Sequence, residues 1–228
     1  MQTVMIAGAS RGIGLEFAKQ YAKEGCHVIA TCRSLESAPK LEALSKEYSN
    51  IKIEFLDVTS EEQVKALANK TETPIDLLII SAGIMEPRIS IEDYTKENIM
   101  HKFEVNAVGH FLVAQAFYPH VAKSQLKQIA AITSRMGSIK DNTSGSKYAY
   151  RASKAALNAI MKSFAYDLKD KGIHVSILHP GPVKTDMTRK NGTLTAEESV
   201  KRLRHILEKA PEQETGLFHS HDGSLLPW

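Results

Sequence analysis

Short apolar runs recur along the chain, separated by longer segments with a different rhythm. The runs are Val4–Ala7, His27–Cys32, Ile51–Leu56, Ile75–Ile80, Ile129–Thr133 and His174–Leu178. Ile51–Leu56 alternates (IKIEFL), while the others are nearly continuous. Continuous β-branched runs of this length suit strands buried on both faces, as in a parallel sheet. Between them, apolar residues return every three or four positions. Leu15, Ala18, Tyr21 and Ala22 follow a glycine turn and stop at Gly25, which reads as a C-cap. Thr59 to Gln63 offers capping residues ahead of Val64, Ala66 and Leu67. Ile99, Phe103, Val105, Val108, Leu112, Val113 and Phe117 predict one long apolar helix. Ala152, Ala156, Ile160, Phe164 and Leu168 predict another, closed by Gly172. This alternation predicts one α/β domain over residues 1–228. It is a doubly wound parallel sheet of about seven strands, with helices on both faces and right-handed crossovers.

Composition narrows the class. At 43% hydrophobic and 24% charged residues, the chain is too apolar to be disordered. A net charge of +3 is too small to argue for a nucleic-acid partner. No run reaches the ~18 apolar residues of a membrane span. Met1–Ile6 shows neither the charged start nor the long apolar stretch of a secretion signal, so a soluble, cytoplasmic protein is expected. Cys26 and Cys32 are too few for a disulfide framework or a four-cysteine zinc site. His219 and His221 lie two apart without a third ligand at recognisable spacing, so no metal is expected.

The candidate chemistry begins at Gly8-Ala9-Ser10-Arg11-Gly12-Ile13-Gly14, between the first strand and first helix. Gly8 permits a tight turn, Gly12 a close backbone approach to a pyrophosphate, and Gly14 close packing of helix on strand. The phosphates would sit on free N–H groups at the helix start, where the dipole is positive. An NAD site carries an acid near the end of the second strand, on the ribose 2′-hydroxyl. Here that position reads Thr31-Cys32-Arg33-Ser34, and the next acid is Glu36. Arg33 and Arg11 favour a 2′-phosphate through charge-assisted hydrogen bonds, so NADP(H) is expected over NAD(H).

Tyr150 and Lys154 open the last long helix four residues apart, so phenol and ammonium share one face. A nearby cation favours the phenolate, and a tyrosine so tuned exchanges protons with a carbonyl or alcohol near neutral pH. Tyr148 is a poorer candidate, since its partner at that spacing is Ala152.

With these residues in view, the chain resembles the short-chain dehydrogenase/reductase family over nearly its whole length. Gly8–Gly14 matches the family's glycine motif, and Asp57-Val58 its adenine-contacting pair. Ser81-Ala82-Gly83, Asn106-Ala107-Val108-Gly109, Ile132-Thr133-Ser134 and Tyr150–Lys154 match four further motifs in the family's order. Pro180-Gly181, with Val183 and Thr185 following, matches the segment that holds the nicotinamide. Tyr148–Asn158 and Asp222-Gly223…Pro227-Trp228 resemble most closely the sniffer-like carbonyl reductases and C-factor-like proteins. The resemblance implies a Rossmann-type fold and a catalytic group of four. Ser134 would position the substrate carbonyl and Tyr150 would act as general acid. Lys154 would lower the tyrosine pKa and hold the ribose, and Asn106 would anchor a water that relays protons. It also implies a substrate loop at about 186–210 and a homodimer or homotetramer built on the two long helices.

Departures from the family pattern carry expectations of their own. Ala7 replaces the usual threonine before the first glycine, which removes a side-chain hydrogen bond from the turn. Ile80 and Ser81 replace two asparagines. Asp141–Lys147 is longer than usual and is expected to rim the substrate mouth. Ser138 competes with Ser134 but lies past Gly137, off the motif. Met85, Met136 and Met187 follow cofactor-side motifs and suit a soft pocket. The function expected is an NADPH-dependent carbonyl reductase acting on a small or medium aldehyde or ketone. The alternative is a coenzyme-binding signalling or regulatory protein with little turnover, which has no need of the phenol.

Overall fold

All six apolar runs become strands, and a seventh strand joins them. The computed structural model describes residues 1–188 and 190–228. Its strands are β1 (Thr3–Ala7), β2 (His27–Cys32), β3 (Ile51–Phe55), β4 (Leu77–Ile80), β5 (Gln128–Ile132), β6 (His174–His179) and β7 (Phe218–Ser220). They form one sheet in the order β3-β2-β1-β4-β5-β6-β7, with every neighbouring pair parallel. The chain winds outward from β1 to β3, then returns to place β4 on the other side of β1. A sheet of this kind holds its ligand in the crevice beyond the strand ends at that reversal.

The helices are α1 (Gly12–Lys23), α2 (Pro39–Glu47), α3 (Glu61–Lys70), α4 (Lys96–Phe103), α5 (Gly109–Ala122), α6 (Tyr148–Asp167) and α7 (Ala196–Lys209). Successive strand residues feed opposite faces. Met5 and Leu78 pack with Phe117, Leu157 and Met161 beneath α3, α5 and α6. Ile6 and Ile79 pack with Phe17, Leu41 and Leu203 beneath α1, α2 and α7. Two covered faces explain why the central strands read as unbroken apolar runs. β3 is an edge strand, and its Lys52 and Phe55 are exposed.

The single long helix expected over Ile99–Phe117 is α4 and α5 joined by a π-helical turn, Glu104–Val108. Wider turns of this kind mark functional positions in many helices, and this one carries Asn106. α6 ends at Asp167, and Gly172 follows a short 3-10 turn with φ +70°. The stretch from 186 to 210 divides in two, with Arg189 outside the described residues. Thr195 and Glu198 form a reciprocal capping box that opens α7. The Arg204 guanidinium then lies 4.5 Å over the Tyr21 ring of α1. Among the described residues, no helix is long and apolar enough to cross a membrane.

Candidate active site

The glycine turn is shaped by what a side chain would meet there. Gly8 has φ +91°, and a Cβ on it would stand 2.7 Å from the Ala82 backbone. A Cβ on Gly14 would stand 2.0 Å from the Gly8 carbonyl oxygen, so α1 is pressed directly against the turn. Gly14→Ala is therefore expected to destabilise the protein by about 3 kcal/mol or more. Chemical denaturation reads this directly, and a loss below about 1 kcal/mol would show that the turn yields. The hydrogen bond lost with Ala7 is replaced from the neighbouring strand. The Gly8 N–H donates to Thr31 Oγ1 at 3.2 Å, and the Ala9 N–H to the Thr31 carbonyl at 2.8 Å. α1 starts without a side-chain cap. Its first N–H groups and positive dipole end are left for an anion.

A cleft of about 340 Å³ opens beyond the ends of β1 and β4. Gly8, Ser10, Arg11, Gly12 and Ile13 line one wall. Arg33 follows β2, and Asp57 and Val58 follow β3. Ala82 and Gly83 follow β4, and Pro180 and Thr185 follow β6. Tyr150 and Lys154 line the same cleft from α6. Gly14 stands behind the turn. Gly181, at φ +81°, is closed in by the His221 ring, and buried Val183 bridges to Leu194. Burial pushes the Asp57 carboxyl up, but the Thr59 N–H and hydroxyl, at 3.0 and 2.7 Å, and the nearby Arg33 outweigh it and hold the group low. Ser37 and His101, which no motif marks, also line the cleft, as does Asp186 at the start of the expected substrate loop. Met187 lines it as well.

At the other end, the catalytic candidates converge. Ser134 sits at the end of β5, where its Oγ accepts from the Met136 N–H at 3.1 Å. Its hydroxyl stands beside that of Tyr150. Ser138 is occupied elsewhere, accepting from the Asp141 N–H at 3.1 Å. Asn106 is wholly buried. Its amide accepts from the Ile84 N–H and donates to the Ile84 carbonyl, both at 2.8 Å, and donates to Ser153 Oγ at 3.0 Å. A Cβ on Gly83 would stand 3.4 Å from Asn106 Oδ1 and 3.7 Å from Lys154 Nζ, so these groups meet behind the cleft floor.

The electrostatics differ from what spacing alone suggests. Lys154 is buried and donates to the Ile132 carbonyl at 2.9 Å. Loss of solvent lowers its ammonium from the usual lysine range to about 7. Tyr150 is held above its ordinary value. Burial is the main cause and the Glu86 carboxylate adds to it, while the Ser134 hydroxyl acts the other way. The expected lowering of the phenol by Lys154 is thus overridden, because desolvation acts on both members of the pair. His110, one turn beyond Asn106, was not singled out from the sequence. It bonds the Ala82 carbonyl at 2.7 Å, and burial, then Lys154, lowers it to about 3. Glu86 and Tyr94, equally unmarked in the sequence, pack at the start of α6. Asp141–Lys147 is tied down by Arg151, which reaches Ser144 Oγ at 2.9 Å and the Gly145 and Ser146 carbonyls. Among the described residues, no three His, Cys, Asp or Glu side chains gather in a metal-holding group.

Known proteins share this fold. The family described as short chain dehydrogenase matches residues 2–195. The carbonyl reductase Sniffer of D. melanogaster superposes with a TM-score of 0.92 at 31% identity, covering 100% of both chains. The NADPH-bound carbonyl reductase from chicken fatty liver gives 0.91 at 31% identity, covering 100% of this chain and 99% of that one. The C-signal protein of Myxococcus xanthus is 37% identical over 155 residues, which span 68% of this chain and 93% of that protein.

Proposed function

The chain belongs to the short-chain dehydrogenase family, and from that premise we propose that it is an NADP(H)-dependent carbonyl reductase acting on a small or medium aldehyde or ketone. The observation that carries this reading is the meeting of two hydroxyls, Tyr150 and Ser134, where Tyr150 and Lys154 line the cleft beyond the strand ends. When bound, the dihydronicotinamide supplies the hydride. Ser134 holds the carbonyl oxygen of the substrate, and Tyr150 gives that oxygen its proton. Lys154 holds the ribose, and Asn106 fixes the backbone at Ile84 beside it.

The residues fit the coenzyme. The uncapped start of α1 and the crowded glycine turn form a phosphate cradle. Arg11 and Arg33 line the cleft and would hold a 2′-phosphate. The test is a panel of aldehydes, ketones and diketones, followed by NADPH absorbance. Turnover is expected with at least one, and kcat/KM is expected to favour NADPH over NADH by about tenfold to a hundredfold, the worth of one or two charge-assisted hydrogen bonds. Arg33→Ala should remove most of that preference. Comparable turnover with both coenzymes at low concentration would reject the assignment of the arginines. Tight NADPH binding without turnover on any carbonyl would favour the second reading, a coenzyme-binding signalling protein, which the similarity to C-signal supports.

A further inference from the structure

Ser134 lies just past the end of the sheet. β5 stops at Ile132, opposite Leu178 of β6, and the Thr133 N–H still bonds the Leu178 carbonyl at 2.8 Å. Ser134 is extended, with φ −154°, and opens the short 3-10 turn Arg135–Gly137. Tyr150 and Lys154 stand on a different element, α6. Two contacts tie the turn to that helix. The Thr133 hydroxyl donates to Asn158 Oδ1 at 2.6 Å, four residues past Lys154. On the far side of Ser134, a Cβ on Gly137 would stand 2.9 Å from the Lys154 carbonyl oxygen and 3.0 Å from Asn158 Nδ2. Thr133 and Asn158 are 2% and 3% exposed, and among the described residues Asn158 Nδ2 has no hydrogen-bond partner. A buried donor left unmatched costs free energy. Apolar side chains of matching shape would fill both positions at about equal stability. Stability alone therefore does not account for the polar pair.

We propose that Asn158 is a positioning residue for Ser134: by accepting from the Thr133 hydroxyl it fixes the end of β5 against α6 and so sets the Ser134 hydroxyl in place beside Tyr150. The inference rests on the reading of Ser134 and Tyr150 as the groups that hold and protonate the carbonyl. Asn158 acts at one remove from the reacting atoms. Ser134 is the residue after Thr133, and Tyr150 and Lys154 precede Asn158 along the buried side of α6. Lys154 Nζ donates to the Ile132 carbonyl at 2.9 Å, so α6 grips the strand end at two successive residues. Removing the Asn158 contact leaves the other in place and lets Ser134 shift. A displacement of about 1 Å between reacting groups costs on the order of a hundredfold in rate, so a smaller slip carries a measurable loss.

The test is a double-mutant cycle of Thr133→Val and Asn158→Leu in the full chain, with Thr133→Ser as the conservative variant. Each protein is read by steady-state rates with NADPH and a carbonyl, by coenzyme titration and by chemical denaturation. Either single change is expected to lower kcat about tenfold, with coenzyme affinity held within a few-fold. The double variant should lose no more rate than either single change, because all three lack the same bond. It should also regain stability, since neither partner is left unmatched, while kcat stays low. Thr133→Ser keeps the hydroxyl and gives up a methyl group, so it should lose stability yet hold kcat within a few-fold. Rates that recover with stability in the double variant overturn the proposal and leave the pair as packing. Losses that multiply in the double variant overturn it too. So does a loss at Thr133→Val that Asn158→Leu does not share, which would give Thr133 a contact of its own in the cleft. Where Asn158→Leu does not fold, the two Thr133 variants decide: kcat that follows stability rather than the hydroxyl overturns the proposal. A parent that turns over no carbonyl defeats the reductase reading and this inference with it, whereas an active parent matched by its variants defeats this inference alone.

Discussion

Tyr150→Phe is expected to lower carbonyl reduction at least a hundredfold while leaving NADPH affinity within a few-fold. General acid catalysis contributes about 10²–10⁴-fold, and the variant deletes the only group proposed to supply the proton. The ring is buried and stays packed, so what is lost is one oxygen beside Ser134. Losing one hydroxyl costs about 1 kcal/mol of stability, so the variant should fold. Steady-state rates with NADPH and a carbonyl, together with a coenzyme titration, separate the two effects. The phosphate cradle at Gly8–Gly14 and the arginines at 11 and 33 belong to other elements and should be untouched. Turnover within about tenfold of the parent would take the phenol out of the mechanism and leave Ser134 as the better donor.

The parts of this arrangement that were legible in the sequence are those written locally. β1, β4 and β5 are buried along their whole length, so an unbroken apolar run was an honest record of two covered faces. The capping residues from Thr59 to Gln63, where Ser60 caps α3, the glycine turn and the spacing of Tyr150 and Lys154 are also local patterns. What escaped depends on the sheet being assembled. β7 has only three residues and pairs with one neighbour, so its pattern is too short to carry a period. α2 buries only Leu41 and Leu44, too thin a stripe to be read. The π turn at Asn106 leaves the apolar repeat of α4 and α5 almost intact, and the sequence read straight through it. Thr31 stands in for the missing threonine at position 7 from a neighbouring strand, and Glu86 caps a helix that begins some sixty residues later, so neither leaves a trace at short range. The pKa directions failed for the same reason. Spacing placed an amine beside a phenol, but burial, a property of the whole fold, governs both groups.

Lys154 gives that last point a measurable form. Its amine titrates at about 7 in the folded protein against a lysine value of 10.5. Between those values the unfolded chain binds a proton that the folded protein does not. Stability from this group is therefore complete above the unfolded pKa and is lost as pH falls toward the folded pKa, below which no further loss occurs. Lys154→Met cannot titrate and escapes the loss. The stability of the variant minus that of the parent should therefore grow as pH drops from about 10 to about 7, by about 4 kcal/mol, and level off below. Near neutral pH that corresponds to about 10 °C in Tm for a domain of this size. Taking the difference removes the opposing titration of Tyr150, which both proteins share. The same variant should lose carbonyl reduction, because it no longer offers the amine at the ribose. A more stable but inactive protein is the signature of a charge kept in the core for chemistry. A flat difference between pH 7 and 10 would mean that the ammonium stays protonated in the fold, held by a partner stronger than the Ile132 carbonyl.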